Sequence, residues 1–235
     1  MRIIDEIDLR PDDHVVEIGP GLGALTDFLL PKLNHLDVVE IDRDLAKLLR
    51  ERYPPEKLTV HEGDALEFDF SKIGEPIRLV GNLPYNISTP LLFHVAKFRA
   101  QLRDGHFMLQ REVVDRMVAA PSTPAYGRLS VSLQLDFEME SLFCIGPGAF
   151  TPPPKVESAI VRLTPLPENR FELRDRELFS AVVSRAFTQR RKTLRNSLRD
   201  YLSPDDFVTI DIDPMARAEN LGVAEYVRIA NLVAQ

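Results

Sequence analysis

The stretch "VVEIGPGLGALT", Val15–Thr26, runs from an apolar, β-branched segment through three glycines into a helical pattern. Glycines at 19, 21 and 23 let the backbone pass close to a bound ligand and keep the helix start tight against the strand. Their G-x-G-x-G spacing differs from the G-x-G-x-x-G of pyrophosphate-binding dinucleotide sites. By itself the turn is weak evidence for a nucleotide-like cofactor, because an ordinary tight turn also explains it.

The same order of strand and then helix repeats through the first half of the chain. Short apolar or β-branched runs lie at His14–Gly19, Asp37–Asp42, Lys57–Gly63, Ile77–Asn82 and His106–Gln110. Strands that alternate with helices predict a parallel sheet covered on both faces. Two later runs, "ESLFCIG" and "ESAIVRL", have no useful helix between them, so they predict extra edge strands, one of them antiparallel.

The second half of the chain is mainly helical in pattern. "GRLSVSLQLDF", Gly127–Phe137, is ambiguous, because its apolar residues alternate although it continues a helical region. After the Pro-containing linker Leu163–Asn169 the patterns are helical to the end. The sequence therefore predicts an α/β, Rossmann-like domain with a mostly parallel sheet over residues 1–165 and a small all-helical domain over residues 166–235.

Composition narrows the protein class. With 235 residues, 44% hydrophobic and 28% charged, the chain can bury an ordinary globular core. Cys144 is the only cysteine, which excludes an internal disulfide and a Cys-rich zinc site and favours a reducing compartment. No apolar run approaches the roughly 20 residues of a membrane span. We expect a cytoplasmic monomer without a metal site.

The net charge of −7 is unevenly distributed, and residues 170–199 carry 9 Lys+Arg against 3 Asp+Glu. Such a segment can bind phosphate in an acidic protein, because salt screens charges beyond about 8–10 Å. A solvated helix face is the alternative interpretation. The candidate residues for binding nucleic-acid phosphates are Arg185, Arg190, Arg191, Lys192, Arg195 and Arg199.

Acidic residues follow the predicted second and third strands. Glu40, about 20 residues after Gly19, can accept hydrogen bonds from both ribose hydroxyls. Asp64, within "GDAL", can receive an exocyclic adenine amine. Because the carboxyl ends of parallel strands meet at one edge, these residues and the glycine turn predict one ligand crevice.

The segment "NLPY", Asn82–Tyr85, ends the predicted fourth strand beside the same crevice. An amine on an aromatic base is a poor nucleophile, so its alkylation needs acceptors for the NH2 hydrogens and an aligned lone pair. The Asn82 side-chain carbonyl and the Leu83 backbone carbonyl can be those acceptors, and Pro84 donates nothing. Tyr85 offers a ring for stacking on the base.

Eight motifs in order resemble the ribosomal RNA adenine dimethyltransferases: "VVEIGPGLGALT", "VVEIDRDL", "GDAL", "GNLPYNISTPLLF", "MLQREVVDR", "YGRLSV", "FTPPPKVESAIVRL" and "RRKTLRNSL". The resemblance, strongest to small-subunit members, implies a class I methyltransferase fold and S-adenosylmethionine as cofactor. It implies four methyl transfers to two adjacent adenosines near the 3′ end of small-subunit ribosomal RNA, with the immature small ribosomal subunit as partner.

Site residues are carried over from the resemblance by position. It implies cofactor contacts for Glu17, Gly19, Gly21, Glu40, Asp64, Ala65 and Asn82. It implies that Asn82 and Leu83 hold the target amine and that Tyr85 and Phe150 form the pocket for the base. Family members usually have a leading Phe-Gly-Gln-Asn-Phe-Leu segment, and this sequence starts beyond it. We therefore expect weak cofactor binding and poor methylation.

Three alternatives remain open. Another RNA or DNA adenine methyltransferase would share Asn82–Tyr85, although "FTPPPKVESA" and "RRKTLRNSL" favour the small-subunit enzymes. A nicotinamide dehydrogenase fits the α/β pattern, but the glycine spacing and "NLPY" argue against it. A ribosome-assembly factor could act mainly by binding, which is compatible with catalysis.

Overall fold

The computed structural model describes residues 2–149, 154–189 and 191–234. In these residues seven strands form one sheet: β1 (His14–Ile18), β2 (Leu36–Glu40), β3 (Leu58–Glu62), β4 (Ile77–Asn82), β5 (Leu102–Gln110), β6 (Phe137–Ile145) and β7 (Ser158–Pro165). Their order across the sheet is β3-β2-β1-β4-β5-β7-β6. Strands β1 to β5 pair in parallel, whereas β7 pairs with β5 in the antiparallel direction. The predicted mostly parallel sheet with an antiparallel strand is confirmed.

The helices of the described residues are α1 (Arg2–Ile7), α2 (Thr26–Leu29), α3 (Arg43–Arg52), α4 (Ser88–Ala96), α5 (Arg111–Met117), α6 (Arg128–Gln134), α7 (Arg176–Thr188), α8 (Leu194–Ser197), α9 (Pro204–Thr209) and α10 (Val223–Val233). Short 3₁₀ turns occur at Leu30–Lys32, Phe70–Lys72, Arg99–Gln101, Pro147–Ala149 and Ala218–Asn220. In the described part of the chain, none of these helices combines the length and the hydrophobicity that crossing a membrane requires.

The central strands are apolar on both faces because helices cover both sides of a parallel sheet. Val15, Val16, Glu17 and Ile18 are consecutive buried residues of β1. On one face, Ile3, Ile4 and Ile7 of α1 belong to the same core cluster as Val15 and Val80. This packing places the first turn of α1 on the face of the sheet that also carries Glu17.

The chain divides into two compact units, one of residues 1–114 and 138–165 and one of residues 115–137 and 166–235. The sequence pattern predicts residues 115–137 in the first domain, whereas in the structure they belong to the second unit. Gly127–Phe137, ambiguous in sequence, contains α6 and the start of β6. Val131 and Leu135 lie in the core of the second unit, and the Tyr126 hydroxyl donates to the Leu221 carbonyl at 2.8 Å. Burial of this apolar face therefore adds the segment to the helical unit.

Candidate active site

The glycine turn joins the end of β1 to α2. Gly19, Gly21 and Gly23 have φ of 65°, 58° and 83°, a left-handed conformation that glycine adopts without steric cost. The Gly19 N–H donates to the Val39 carbonyl of β2 at 3.0 Å. The turn is thus folded against the end of the neighbouring strand, where its backbone forms one wall of a crevice.

Glu40 ends β2 and links this turn to the next one. One carboxylate oxygen accepts from the Gly21 N–H at 3.1 Å, and the other accepts from the Asp42 N–H at 3.0 Å. The residue is 5% exposed. Since each carboxylate oxygen has two lone pairs, both can still accept a second hydrogen bond from a ligand hydroxyl.

The third strand end lies beside the second, because the Gly63 N–H donates to the Glu40 carbonyl at 2.9 Å. Asp64 follows, and its Oδ1 accepts from the Leu66 N–H at 2.8 Å, which closes a tight turn. Ala65 is buried. Asp64 and Ala65 therefore follow β3 at a point next to the end of β2.

A cavity of about 530 Å³ opens beside the glycine turn. It contains four of the predicted site residues, Glu17, Gly19, Gly21 and Asn82. Glu40, Asp64 and Ala65 are not among its lining residues, although Glu40 is bonded to Gly21.

The sequence motifs do not identify the other residues that line the cavity, which are Arg2, Ile3, Pro20, Leu22, Ala24, Leu25, Gly81, Met108, Phe143, Ile145 and Ile160. Register explains part of it, because Asn82 is paired with Met108 and Met108 with Ile160, so the three share one face. Phe143 and Ile145 are two apart on β6, and the Arg2 guanidinium lies 4.1 Å from the Phe143 ring centroid. Period-two spacing in "FCI" was the available signal, but the sequence does not identify the partner strand.

The "NLPY" segment begins at the last residue of β4. Asn82 is exposed, whereas Leu83 is 1% exposed and its N–H donates to the Met108 carbonyl at 3.2 Å. The Tyr85 hydroxyl lies 3.2 Å from Ser158 Oγ, while the residue remains 40% exposed. A partly exposed ring whose hydroxyl is held in place is suited to stacking. Phe150, the second predicted aromatic, lies outside the described residues.

Glu17 is the buried carboxyl of the cavity. Its Oε2 accepts from the Thr26 hydroxyl at 2.6 Å, and the residue is 2% exposed. Burial, with smaller contributions from the charges of Glu40 and Asp27, raises the pKa of Glu17 from 4.5 to about 7, although the Thr26 hydrogen bond opposes the rise. The cavity wall therefore contains a carboxyl whose ionised form a cationic ligand would favour.

The predicted basic residues lie in the helical unit. One cavity of about 360 Å³ is lined by Arg185, Gln189, Lys192, Asn196, Ser197 and Arg199. A cleft of about 410 Å³ is lined by Thr188, Gln189, Arg191 and Lys192. Asp200 partly neutralises this cluster, because its carboxylate lies 2.6 Å from Arg185 and 3.6 Å from Arg199. Arg195 is exposed but lines neither space, and Arg190 lies outside the described residues.

The sheet order and the crevice at the carboxyl ends of its strands define a Rossmann-like, class I methyltransferase fold. The model of the family "Ribosomal RNA adenine dimethylase" matches residues 1–235. The chain therefore belongs to the ribosomal RNA adenine dimethylase family, as its sequence motifs predicted.

Individual relatives agree with this assignment. The chain is 60% identical over 229 residues to ribosomal RNA small subunit methyltransferase A of Nitrosospira multiformis, which covers 97% of this chain and 88% of the relative. It is also 60% identical over 233 residues to the protein of that name from Aromatoleum aromaticum, covering 99% and 88%.

Among solved structures, a dimethyladenosine transferase from Plasmodium falciparum matches with a TM-score of 0.83 and 26% identity, covering 97% of this chain and 92% of that one. The 23S ribosomal RNA methyltransferase ErmE matches with a TM-score of 0.76 and 26% identity, covering 100% and 96%. The predicted ribosomal RNA methyltransferase class is confirmed.

Proposed function

We propose that the protein transfers methyl groups from S-adenosylmethionine to the N6 amines of two adjacent adenosines near the 3′ end of small-subunit ribosomal RNA. The observation that carries the proposal is the position of Asn82 at the end of β4, on the wall of the cavity beside the glycine turn. In this arrangement an acceptor for an amine lies next to a site for a nucleotide-like cofactor.

The cavity fits the cofactor in size and chemistry. Its volume lies within the roughly 300–1,000 Å³ of small-molecule sites. Glu40 has lone pairs for ribose hydroxyls, and the buried Glu17 carboxyl suits a ligand with cationic centres. Bound S-adenosylmethionine would supply an electrophilic methyl group on its sulfonium. Asp64 and Ala65 are proposed to contact its adenine.

The residues of "NLPY" are proposed to act on the target base. Asn82 Oδ1 and the Leu83 carbonyl accept hydrogen bonds from the N–H groups of the amine, which directs the nitrogen lone pair at the methyl group. The N–C bond would form as the S–C bond breaks, and the methylated nitrogen would then release one proton to solvent. The Tyr85 ring, held through its hydroxyl, stacks on the base, and we propose that Phe150 stacks on it as well. These contacts position the amine and need neither a metal ion nor a covalent intermediate.

The small-subunit target is supported by the relatives, since those with 60% identity are named small subunit methyltransferases. The 23S enzyme ErmE matches the fold at 26% identity, so a 23S target is the second candidate. We propose that the protein acts on an immature small subunit in the cytoplasm. A role exerted mainly by binding is compatible with this function.

Asn82→Ala tests the proposed chemistry. We expect methyl transfer to fall about 100-fold or more, because a preorganised polar contact at the reacting centre is lost, while cofactor affinity stays within a few-fold. Tritiated-methyl transfer into immature small subunits and into 23S ribosomal RNA measures the rate and the target. Asn34→Ala, at an exposed asparagine bonded to Asp12, is the matched control.

Near-normal transfer by Asn82→Ala would overturn the role of the segment. Transfer into 23S RNA alone would replace the small-subunit target with the second candidate. Binding of immature subunits without any transfer by the wild-type chain would favour the assembly role over catalysis.

A second experiment tests the basic cluster as the RNA face. Replacing Arg191 and Lys192 with Glu should weaken RNA binding and flatten its dependence on salt, because fewer counterions are released. Cofactor binding should not change. Lys32→Glu combined with Lys47→Glu makes the same charge change in the other unit and is the control. Equal RNA binding by both double variants across a salt series would contradict the assignment.

A further inference from the structure

We infer that Arg52 and Tyr53, at the carboxyl end of α3, are positioning residues that hold the glycine turn in its ligand-binding shape. Neither residue lines the cavity, but Arg52 binds Leu22, which does, and Tyr53 binds Asp27 in the helix that follows the turn. The inference rests on the proposed function, since it takes S-adenosylmethionine as the ligand of the turn.

The contacts join the end of α3 to the middle of the turn and to α2, the helix that follows it. Arg52 Nη1 donates to the Leu22 carbonyl at 2.9 Å, and Nη2 donates to Asp27 Oδ2 at 2.6 Å. The Tyr53 hydroxyl donates to Asp27 Oδ1 at 2.7 Å, so the last residue of α3 and the residue that follows it both bind one carboxylate. The Asp27 N–H in turn donates to the Gly23 carbonyl at 3.0 Å. Leu22, Gly23 and Asp27 are thereby fixed relative to α3.

Tyr53 also explains why residue 23 is a glycine. A Cβ placed on Gly23 would lie 2.7 Å from the Tyr53 hydroxyl oxygen and 3.5 Å from Arg52 Nη1. The φ of 83° adds a second cost for any side chain at this position. The turn and the end of α3 are therefore in van der Waals contact as well as hydrogen bonded.

External contacts matter for this turn because glycines have a large conformational freedom that binding must otherwise restrict. Leu22 lines the cavity, and its side chain is 68% exposed, so burial of that side chain contributes little to its position. Burial and the Asp27 hydrogen bond raise the pKa of Tyr53 to about 12, so the hydroxyl remains a donor at physiological pH. The hydrogen bonds from Arg52 and Tyr53 thus preorganise the backbone of the glycine turn for ligand binding.

Arg52→Gln, measured on the full chain, separates positioning from general stability. We expect the dissociation constant for S-adenosylmethionine and its KM to rise about fivefold, the size of a lost exposed ion pair and hydrogen bond, with kcat unchanged at saturating cofactor. Lys47→Gln removes the same charge from the exposed side of α3 and should leave KM unchanged. Calorimetry and methyl-transfer kinetics supply both values.

A double-mutant cycle tests the contact at Gly23 directly. Gly23→Ala should weaken cofactor binding less in the Tyr53→Phe background than in the wild type, because the clashing hydroxyl oxygen is gone. Provided that the wild-type chain binds S-adenosylmethionine, two results would overturn the inference. One is a Gly23→Ala loss of cofactor affinity that is the same in both backgrounds, and the other is an Arg52→Gln KM equal to that of the wild type. If the wild-type chain binds no S-adenosylmethionine, the proposed function fails and this inference fails with it.

Discussion

Buried carboxylates at the two edges of the sheet have opposite surroundings. At the edge formed by the amino ends of the strands, the Asp104 carboxylate of β5 accepts hydrogen bonds from Arg78 Nε at 2.9 Å and Arg78 Nη2 at 2.7 Å. Asp13, just before β1, accepts a third from Arg78 Nη1 at 2.7 Å. At the carboxyl edge, Glu17 of β1 is held by the Thr26 hydroxyl and faces the negative charge of Glu40.

The pKa values follow this difference. Burial alone would raise the pKa of Asp104, but the neighbouring His106 ring and the Arg78 guanidinium lower it from 3.8 to about 2. Burial raises the pKa of Glu17 to about 7. A buried acid that is paired with arginine keeps its charge in the folded protein, whereas a buried acid without a cationic partner has a raised pKa that a cationic ligand would lower.

Among the substitutions that test the difference between the two edges of the sheet, we expect Arg78→Met to cause the largest loss of stability. Arg78→Met leaves the buried Asp104 carboxylate without its guanidinium partner and leaves Asp13 with Arg103 alone, so the free energy of unfolding should fall by about 3 to 5 kcal/mol. Arg78 also donates to the Ile7 and Asp8 carbonyls at the end of α1, so this helix should loosen. Urea denaturation at pH 7 measures the loss.

Arg103→Met is the control for that substitution. Arg103 is 40% exposed and binds only the other oxygen of Asp13, at 2.8 Å, so its removal should cost about 1 kcal/mol or less. If both variants lost the same stability, the Arg78 cluster would be an ordinary set of surface pairs, and the comparison between the two edges would fail.

The sequence predicted the carboxyl edge far better than the amino edge. The glycine turn, Glu40 and Asn82 each come directly at or after a strand, so local order was enough to bring them together. Arg78 stands inside the apolar run "IRLV", but its partners Asp13 and Asp104 are 65 and 26 residues away. An arginine inside an apolar run indicates a buried charge, but the residues that pair with it depend on which strands become neighbours in the folded sheet.

The two remaining differences also arise from tertiary structure. Gly127–Phe137 carries both a period of two and a helical context, and packing in the helical unit decides for α6. A division at residue 165 assumes that domains are continuous, whereas residues 115–137 fold with residues 166–235. Local patterns do not contain either fact.

The smaller effect is expected at Glu17 and concerns pH. Because its pKa is higher in the folded than in the unfolded protein, Glu17 stabilises the fold fully below about pH 4.5, and that stability is lost as pH rises through about 7. The shift corresponds to about 3 kcal/mol at most. Asp104 acts in the other direction, because its contribution is lost as pH falls from about 4 to about 2.

Glu17→Gln replaces the carboxyl with an uncharged amide of similar shape. It should therefore abolish the loss of folding stability between pH 5 and pH 8 and raise the melting temperature at pH 8. The same variant should bind S-adenosylmethionine more weakly at pH 8, because the charge that we propose to face its cationic centres is absent. Melting curves and calorimetry across this pH range test both expectations.

Asp136, which is 2% exposed but paired with Arg176, provides the contrast, since Asp136→Asn should lower the melting temperature at pH 8. If Glu17→Gln lowered the melting temperature at pH 8 as Asp136→Asn is expected to do, Glu17 would be a structural acid like Asp104.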